Sequence, residues 1–357
     1  MRPDIAFALG GDKMRSARWA LGASVLALAQ AGGAAAQDPA AFYAGKTMQV
    51  VIATAPGAAY DFYGRALARH IGRHLPGAPS VTPQNMPGAS GFRAANHLYA
   101  AAPRDGLYIG TFNNAIAYYQ VMGQLGVQYR AEEFSWIGAI PQDTALVAVW
   151  HATGVKTIED AKRIPVAMGA TGAGGNFAGH VQLLNAFLGT KFKIVMGYDG
   201  GNSINLAIER NEVSGKANTT WAAYKSIKPE WVRDGKIVPL VQFGPARDPE
   251  LPNVPLLTDL AQNEDQLKVF QLVSSTVDMG QPFAAPPGVP TDRVNALRRA
   301  FEATLRDPAF REDAAKLGPQ TTLEPTSGET VAEIVRRTVE TPKALVERLR
   351  AALETNQ

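Results

Sequence analysis

The chain has 357 residues, 46% of them hydrophobic, with 35 Lys and Arg against 32 Asp and Glu for a formal net charge of +3. This is a folding composition rather than a disordered one, and at roughly 100 to 200 residues per domain it predicts about two domains. The absence of cysteine excludes disulfides, thiolate zinc sites, iron–sulfur clusters and Cys nucleophiles, and no Lys/Arg run is long enough to suggest nucleic acid as a partner.

Residues 1–37 read as an address. Met14, Arg15 and Arg18 form a short basic region, Trp19 to Ala31 is apolar apart from Gly22, Ser24 and Gln30, and Ala34-Ala35-Ala36-Gln37 supplies the small residues of a signal-peptidase site. The apolar run is shorter than the roughly 20 residues a spanning helix needs. A cleaved Sec-type signal is therefore expected, with the mature chain from about Asp38 exported to the periplasm. An uncleaved anchor is the competing reading, and Met14 competes with Met1 as the start.

Beyond it, apolar β-branched runs alternate with helical patterns, the rhythm of an α/β protein with mostly parallel sheets. Met48 to Thr54 is the first expected strand, followed by Pro56-Gly57-Ala58-Ala59-Tyr60-Asp61 and a helix over Phe62 to Leu75. A second strand at Ser80 to Gln84 leads into Asn85-Met86-Pro87-Gly88-Ala89-Ser90-Gly91 and a helix to Ala101, and a third, Tyr108 to Thr111, ends at Phe112-Asn113-Asn114. The middle repeats the pattern, with strands at Ala145 to Trp150, Pro165 to Met168, Lys193 to Met196, Val213 to Ala217 and Ile237 to Phe243, and helices at Ile158 to Lys162, Phe177 to Leu188 and Ser203 to Arg210. The tail from Thr291 reads as helical, with N-caps at Thr291 and Ser327 and a break at Asp307-Pro308. Each Gly/Pro/Asn cluster falls at the carboxyl end of a strand, where open α/β sheets bind ligands.

Cofactor and catalytic readings fail on spacing. In Gly169-Ala170-Thr171-Gly172-Ala173-Gly174-Gly175 the closing glycine of a dinucleotide fingerprint is replaced by Phe177, and no phosphate-loop lysine follows. Gly88-Ala89-Ser90-Gly91 lacks the closing glycine of a nucleophile elbow, because Phe92 stands there. His70 and His74 are spaced for one helix face, but such a pair is more often solvated than metal-binding. No cofactor and no catalytic residue is assigned. What remains is a set of uncharged loops opening helices, whose N–H groups can hold a carboxylate without any Arg.

The order of these loops resembles the tricarboxylate-transport receptors known as Bug, or TctC-like, proteins. The likeness rests on Pro56 to Asp61, Asn85 to Gly91, Asp105-Gly106 before Tyr108 to Thr111, Gly169 to Gly174, Tyr198 to Gly201, Pro249 to Pro255 and Pro286 to Pro290. It implies a two-lobed periplasmic-binding-protein fold of type II with a hinge and an interlobe ligand cleft. Lobe 1 would comprise residues 38–140 and 272–357, and lobe 2 residues 141–271. It also implies a monomeric receptor that delivers a small organic carboxylate to the membrane subunits of a tripartite tricarboxylate transporter. A cofactor-independent periplasmic enzyme and an orphan sensory receptor are the alternatives. Two departures stand out: Ala58 replaces the family's second glycine, and Ala178 stands where the family often has His, so no role passes to His180.

The expected ligand-binding residues are Pro56, Gly57, Ala58, Tyr60, Asp61, Phe112, Asn113, Gly169, Thr171, Gly172, Gly174, Gly175, Asn176, Asn202 and Trp221. Two roles are open to Asp61, helix cap or acceptor from the ligand, and Asn202 is open in the same way. Tyr60, Phe112, Phe177 and Trp221 suggest an apolar wall, so the expectation is one carboxylate at helix N-termini with a flat or aliphatic remainder, preferred over citrate.

Overall fold

The computed structural model describes residues 39–354 apart from 58, 89–90, 171–175, 199–200 and 317–322. The chain begins with α1 (Pro39–Tyr43), β1 (Thr47–Ile52), α2 (Ala59–Ile71), β2 (Ser80–Asn85), α3 (Phe92–Ala100), β3 (Tyr108–Thr111), α4 (Ile116–Val121) and β4 (Ser135–Ile140). It continues through β5 (Ala145–Trp150), α5 (Ile158–Ala161), β6 (Val166–Gly169), α6 (Asn176–Leu188), β7 (Phe192–Val195), α7 (Gly201–Glu209), β8 (Gly215–Thr220), α8 (Trp221–Ile227), α9 (Pro229–Arg233) and β9 (Ile237–Phe243). After α10 (Glu264–Asp278) come β10 (Gln281–Ala285), α11 (Thr291–Arg306), α12 (Pro308–Ala315), β11 (Thr326–Ser327), α13 (Gly328–Val339) and α14 (Lys343–Glu354).

Two sheets result, one ordered β11-β4-β10-β3-β1-β2 and the other β7-β6-β8-β5-β9. Both are mixed, which corrects the expectation of mostly parallel sheets. In the first, β2, β1 and β3 run parallel while β10 is antiparallel to both β3 and β4; in the second, β7, β6 and β8 run parallel while β5 opposes β8 and β9.

The antiparallel strands are the ones by which the chain changes sheet. β4 ends at Ile140 and β5 begins at Ala145, opposite Thr220 at the end of β8. On the return, β10 begins at Gln281, opposite Ile140. Both crossings therefore join the carboxyl ends of the parallel strands, and the two sheets present those ends toward the same pair of segments.

Each sheet is covered on both faces, so its strands read as continuous apolar runs. Met48, Val50 and Ile52 of β1 face α2, α11 and α12 through Leu67, Ile71, Leu297, Phe301 and Phe310, while Val51 and Ala53 face α3 and α13 through Leu98, Val331 and Val335. In the second sheet, α5, α6 and α10 cover one face and α7, α8 and α9 the other. The last helix crosses over. Leu345, Val346 and Leu349 of α14 join the layer of Val181, Leu184 and Phe187, so residues 343–354, expected with the first lobe, pack against α6 of the second sheet. Arg350 of the same helix donates to the carbonyl of Val121 at the end of α4 (3.2 Å).

Local signals worked unevenly. Ser327 caps α13 through the N–H of Thr330 (3.1 Å), and Asp307 caps α12 through that of Ala309 (2.9 Å). Thr291 is instead the first residue of α11, with Pro290 in the cap position. The strand expected to end at Ala217 runs on instead, because β8 continues to Thr220 in pairing with β5. His70 of α2 bonds Asp313 of α12 (2.8 Å), and His74, in the 3-10 turn just after α2, bonds the α12 cap Asp307 (2.9 Å), so they are partly buried structural groups rather than solvated ones.

The crossing segments touch at Gly280, where φ is +51° and a Cβ would lie 2.3 Å from the carbonyl oxygen of Ile140. Gly154 also has positive φ, +74°, but nothing lies near its missing Cβ. Gly154→Ala should cost about 1 kcal/mol for conformation alone, and Gly280→Ala about 1–3 kcal/mol more from overpacking. Urea unfolding of the two variants checks this, and equal costs would show that the crossings are free to separate.

Candidate functional site

The parallel strands of the first sheet end in a cleft of about 330 Å³ lined by residues that include Thr54, Tyr60, Pro87, Gly88, Asn113 and Tyr119. β1 delivers Thr54, β2 delivers Pro87 and Gly88, and β3 delivers Asn113, each just past its carboxyl end. Among the described residues none of the lining side chains is charged. α2 and α3 begin beside it, so the partial positive charge of their N-termini sets the local field.

The loop between β1 and α2 is held by a small polar network. The Asp61 carboxylate accepts from the Gly57 N–H (2.8 Å), Arg65 Nε (2.8 Å) and Asn85 Nδ2 (2.7 Å). Asn85 Nδ2 also donates to the Thr54 carbonyl (2.8 Å), and Arg65 donates to Asn85 Oδ1 (2.5 Å). Burial alone would raise the pKa of Asp61, but the hydrogen bonds from Asn85, Gly57 and Arg65 outweigh it and hold it below the usual carboxylate range. Both carboxylate oxygens are engaged within the protein. Asp61 lies inside α2 rather than at its cap, and its carboxylate closes the loop by turning the Gly57 region back toward α2 at a φ of +88°.

The other side of the cleft is fixed similarly. The Tyr60 hydroxyl accepts from the Asn114 N–H (3.0 Å), and burial pushes its pKa up to about 12. Gln281, the first residue of β10, donates to the Tyr60 carbonyl (3.2 Å). Asn113 accepts from the Ala115 N–H (2.8 Å) and so shapes the turn into α4. Gly91 closes the loop before α3 with a φ of +93°, and a Cβ there would press Ala53 at 3.3 Å.

Pro56, Gly57, Tyr60, Asp61 and Asn113 thus come together at this end of the sheet. Phe112 does not join the wall: it is 1% exposed and packs on Phe134, because β3 turns that side chain into the core. Ala58, Thr171, Gly172, Gly174 and Gly175 lie outside the described residues, and Asn176 is the first residue of α6. Gly169 ends β6, where a Cβ would lie 2.6 Å from Ile204, so its glycine lets α7 lie close on the strand.

At the carboxyl end of the second sheet, Asn202 is exposed in the first turn of α7, inside the helix rather than capping it. Trp221 opens α8 and donates its indole N–H to Glu250 (3.3 Å). With Phe177 and Tyr198 it forms a half-buried aromatic surface over Tyr224 and Trp231. His180 stacks on Phe243 at 4.0 Å in the core, where burial lowers its pKa to about 4.

Sequence reasoning missed Thr54, Tyr119, Arg65, and Asn85 as a network member. Arg65 was findable, since it stands four residues after Asp61 on one helix face. Tyr119 had no local signal, because only the turn at Asn113 aims α4 at the cleft.

Asp61→Ala should lower stability by about 1–3 kcal/mol, since it strands the Gly57 N–H and leaves the Arg65 charge without its acceptor. A carboxylate with a depressed folded pKa contributes above its unfolded value of about 3.9 and loses that contribution as pH falls through the folded value. Urea unfolding should therefore separate variant and parent at pH 7, with the gap closing as the pH is lowered through the acid range. A gap that persists unchanged in acid would refute the ionised network.

No protein-family model matches the chain, and no curated protein matches it in sequence. In structure it is similar to a TctC solute-binding protein from Polaromonas solved without ligand, with TM-score 0.66 and 19% identity over 85% of this chain and 98% of that one. It is similar to an R. palustris protein solved with adipate, with TM-score 0.54 and 19% identity over 87% and 97%. The periplasmic binding protein BugD gives TM-score 0.53 and 18% identity over 86% and 97%. With its two mixed sheets, the chain has the α/β periplasmic-binding-protein fold that the Bug and TctC proteins display.

Proposed function

We propose that the chain is an extracytoplasmic solute receptor of the Bug type. It binds a small organic carboxylate between two lobes and delivers it to the membrane subunits of a tripartite tricarboxylate transporter. One observation carries the reading: an uncharged cleft at the carboxyl ends of β1, β2 and β3, beside helix N-termini and on the side where the chain crosses to the second sheet. Backbone N–H groups there suit a carboxylate. The fold supports the same reading, since one similar structure was solved with adipate. The lining offers hydroxyls and an amide but no carboxylate or imidazole to move a proton, which favours binding over turnover.

In this reading the first sheet and its helices form lobe 1, from residues 38–140 and 272–342, and the second sheet forms lobe 2, from residues 141–271 with α14 docked on it. Residues 1–37 act as a cleaved signal, and the mature monomer works in the periplasm.

A thermal-shift screen of the mature chain against mono-, di- and tricarboxylates, amino acids and sugars tests the proposal. A carboxylate at 100 times its Kd should add about 2.7 kcal/mol to stability. Stabilisation by a sugar or an amine, with none from any carboxylate, would overturn it.

A further inference from the structure

Lys216 is the second residue of β8 and is 4% exposed; among the described residues no other Lys or Arg is as buried. Surface lysines such as Lys162, Lys228 and Lys268 meet carboxylates. Lys216 has no such ion pair among the described residues. Its register explains where it points. It lies between Ala148 of β5 and Gly169 at the end of β6, and residues paired across a sheet project to one face. The Gly169 face is the one α7 covers, because a Cβ there would meet Ile204.

The ammonium ends at the start of α7. Nζ donates to the Gly201 carbonyl at 3.4 Å, a long hydrogen bond, and lies 5.1 Å from the centre of the Tyr224 ring. The Phe177 ring closes the other side of Gly201, 3.7 Å from where a Cβ would stand. An ammonium has three donors, and among the described residues one is used. Burial lowers its pKa to about 8, which leaves it mostly protonated at neutral pH. A buried charge without a counterion is costly. Here that charge stands at the N-terminus of a nine-residue helix, α7, level with the carboxyl end of β6.

We infer that Lys216 is a specificity-determining residue that receives an anionic group of the solute at the start of α7. The uncharged cleft at the ends of β1 to β3 takes a first carboxylate and Lys216 a second, so the receptor selects dianions. This rests on the receptor reading and replaces the single-carboxylate expectation drawn from the sequence, which saw only neutral loops.

Calorimetric titration of the mature chain with two matched pairs, adipate against hexanoate and succinate against butyrate, tests it. In the parent protein at least one dicarboxylate should bind tenfold or more tighter than its partner. Lys216→Met should bring that ratio near one with the monocarboxylate affinity unchanged, and Lys216→Arg should keep most of it. Without solute, the Met variant should melt no lower than the parent, since it removes a buried charge and keeps the volume. A ratio unmoved by Lys216→Met overturns the inference, as does a Met variant that melts well below the parent, which would mark a structural cation. Equal binding of both members of each pair by the parent overturns it while leaving the receptor reading standing. No binding of any of the four acids also overturns it, while the receptor reading is then decided by the wider thermal-shift panel.

Discussion

The geometry of this protein follows from how its chain passes between sheets. β10 and β5 each enter a sheet against the direction of its parallel strands, and both crossings meet those strands at their carboxyl ends. A chain that leaves the first sheet at Ile140 and enters the second at Ala145 has only four residues in which to turn. The carboxyl ends of the parallel strands are thereby held near the crossings in both sheets. Gly280 shows how close the two passages run, since a methyl group there would collide with the Ile140 carbonyl.

On that frame the cleft is built from uncharged surface, with its charges set behind it. Asp61, Arg65 and Asn85 satisfy one another, so their fields largely cancel before reaching the cavity. What lines the cavity is Thr54, Tyr60, Asn113 and Tyr119, with small apolar residues between them. Such a lining binds by direction more than by net charge, and the salt dependence of a single contact to it should be weak. Lys216 differs in kind: it is buried, and the hydrogen bond its ammonium makes to the Gly201 carbonyl is long, 3.4 Å.

Much of this was legible in the sequence, and the losses have physical causes. Strands flanked by Gly and Pro clusters, such as Tyr108–Thr111 and Ile237–Phe243, were readable because periodicity and turn residues agree there. The two-sheet fold was legible from the order of loops. β4 and β10 were not assigned, because Ser135–Ile140 and Gln281–Ala285 are short apolar runs whose pairing is with distant strands. Phe112 looked like a wall residue since it follows a strand, yet strand alternation turned it inward. Lys216 escaped notice for the opposite reason. It lay inside an expected strand, where a charge is ordinarily taken for an edge or a solvent face, and only its register beside Gly169 shows it buried under α7.

The placement of α14 bears on the order in which the molecule can be completed. Val181, Leu184 and Phe187 of α6 are covered by Leu345, Val346 and Leu349, more than 150 residues further along the chain. The second sheet is made in mid-sequence, but the apolar layer beneath it stays open until the last turns of polypeptide exist. Closure of that layer is thus a long-range event, with the loop-entropy cost that distant contacts carry. A chain threaded from its N-terminus would hold a half-finished second layer until the end, and so remain loose enough to be moved while still unfolded.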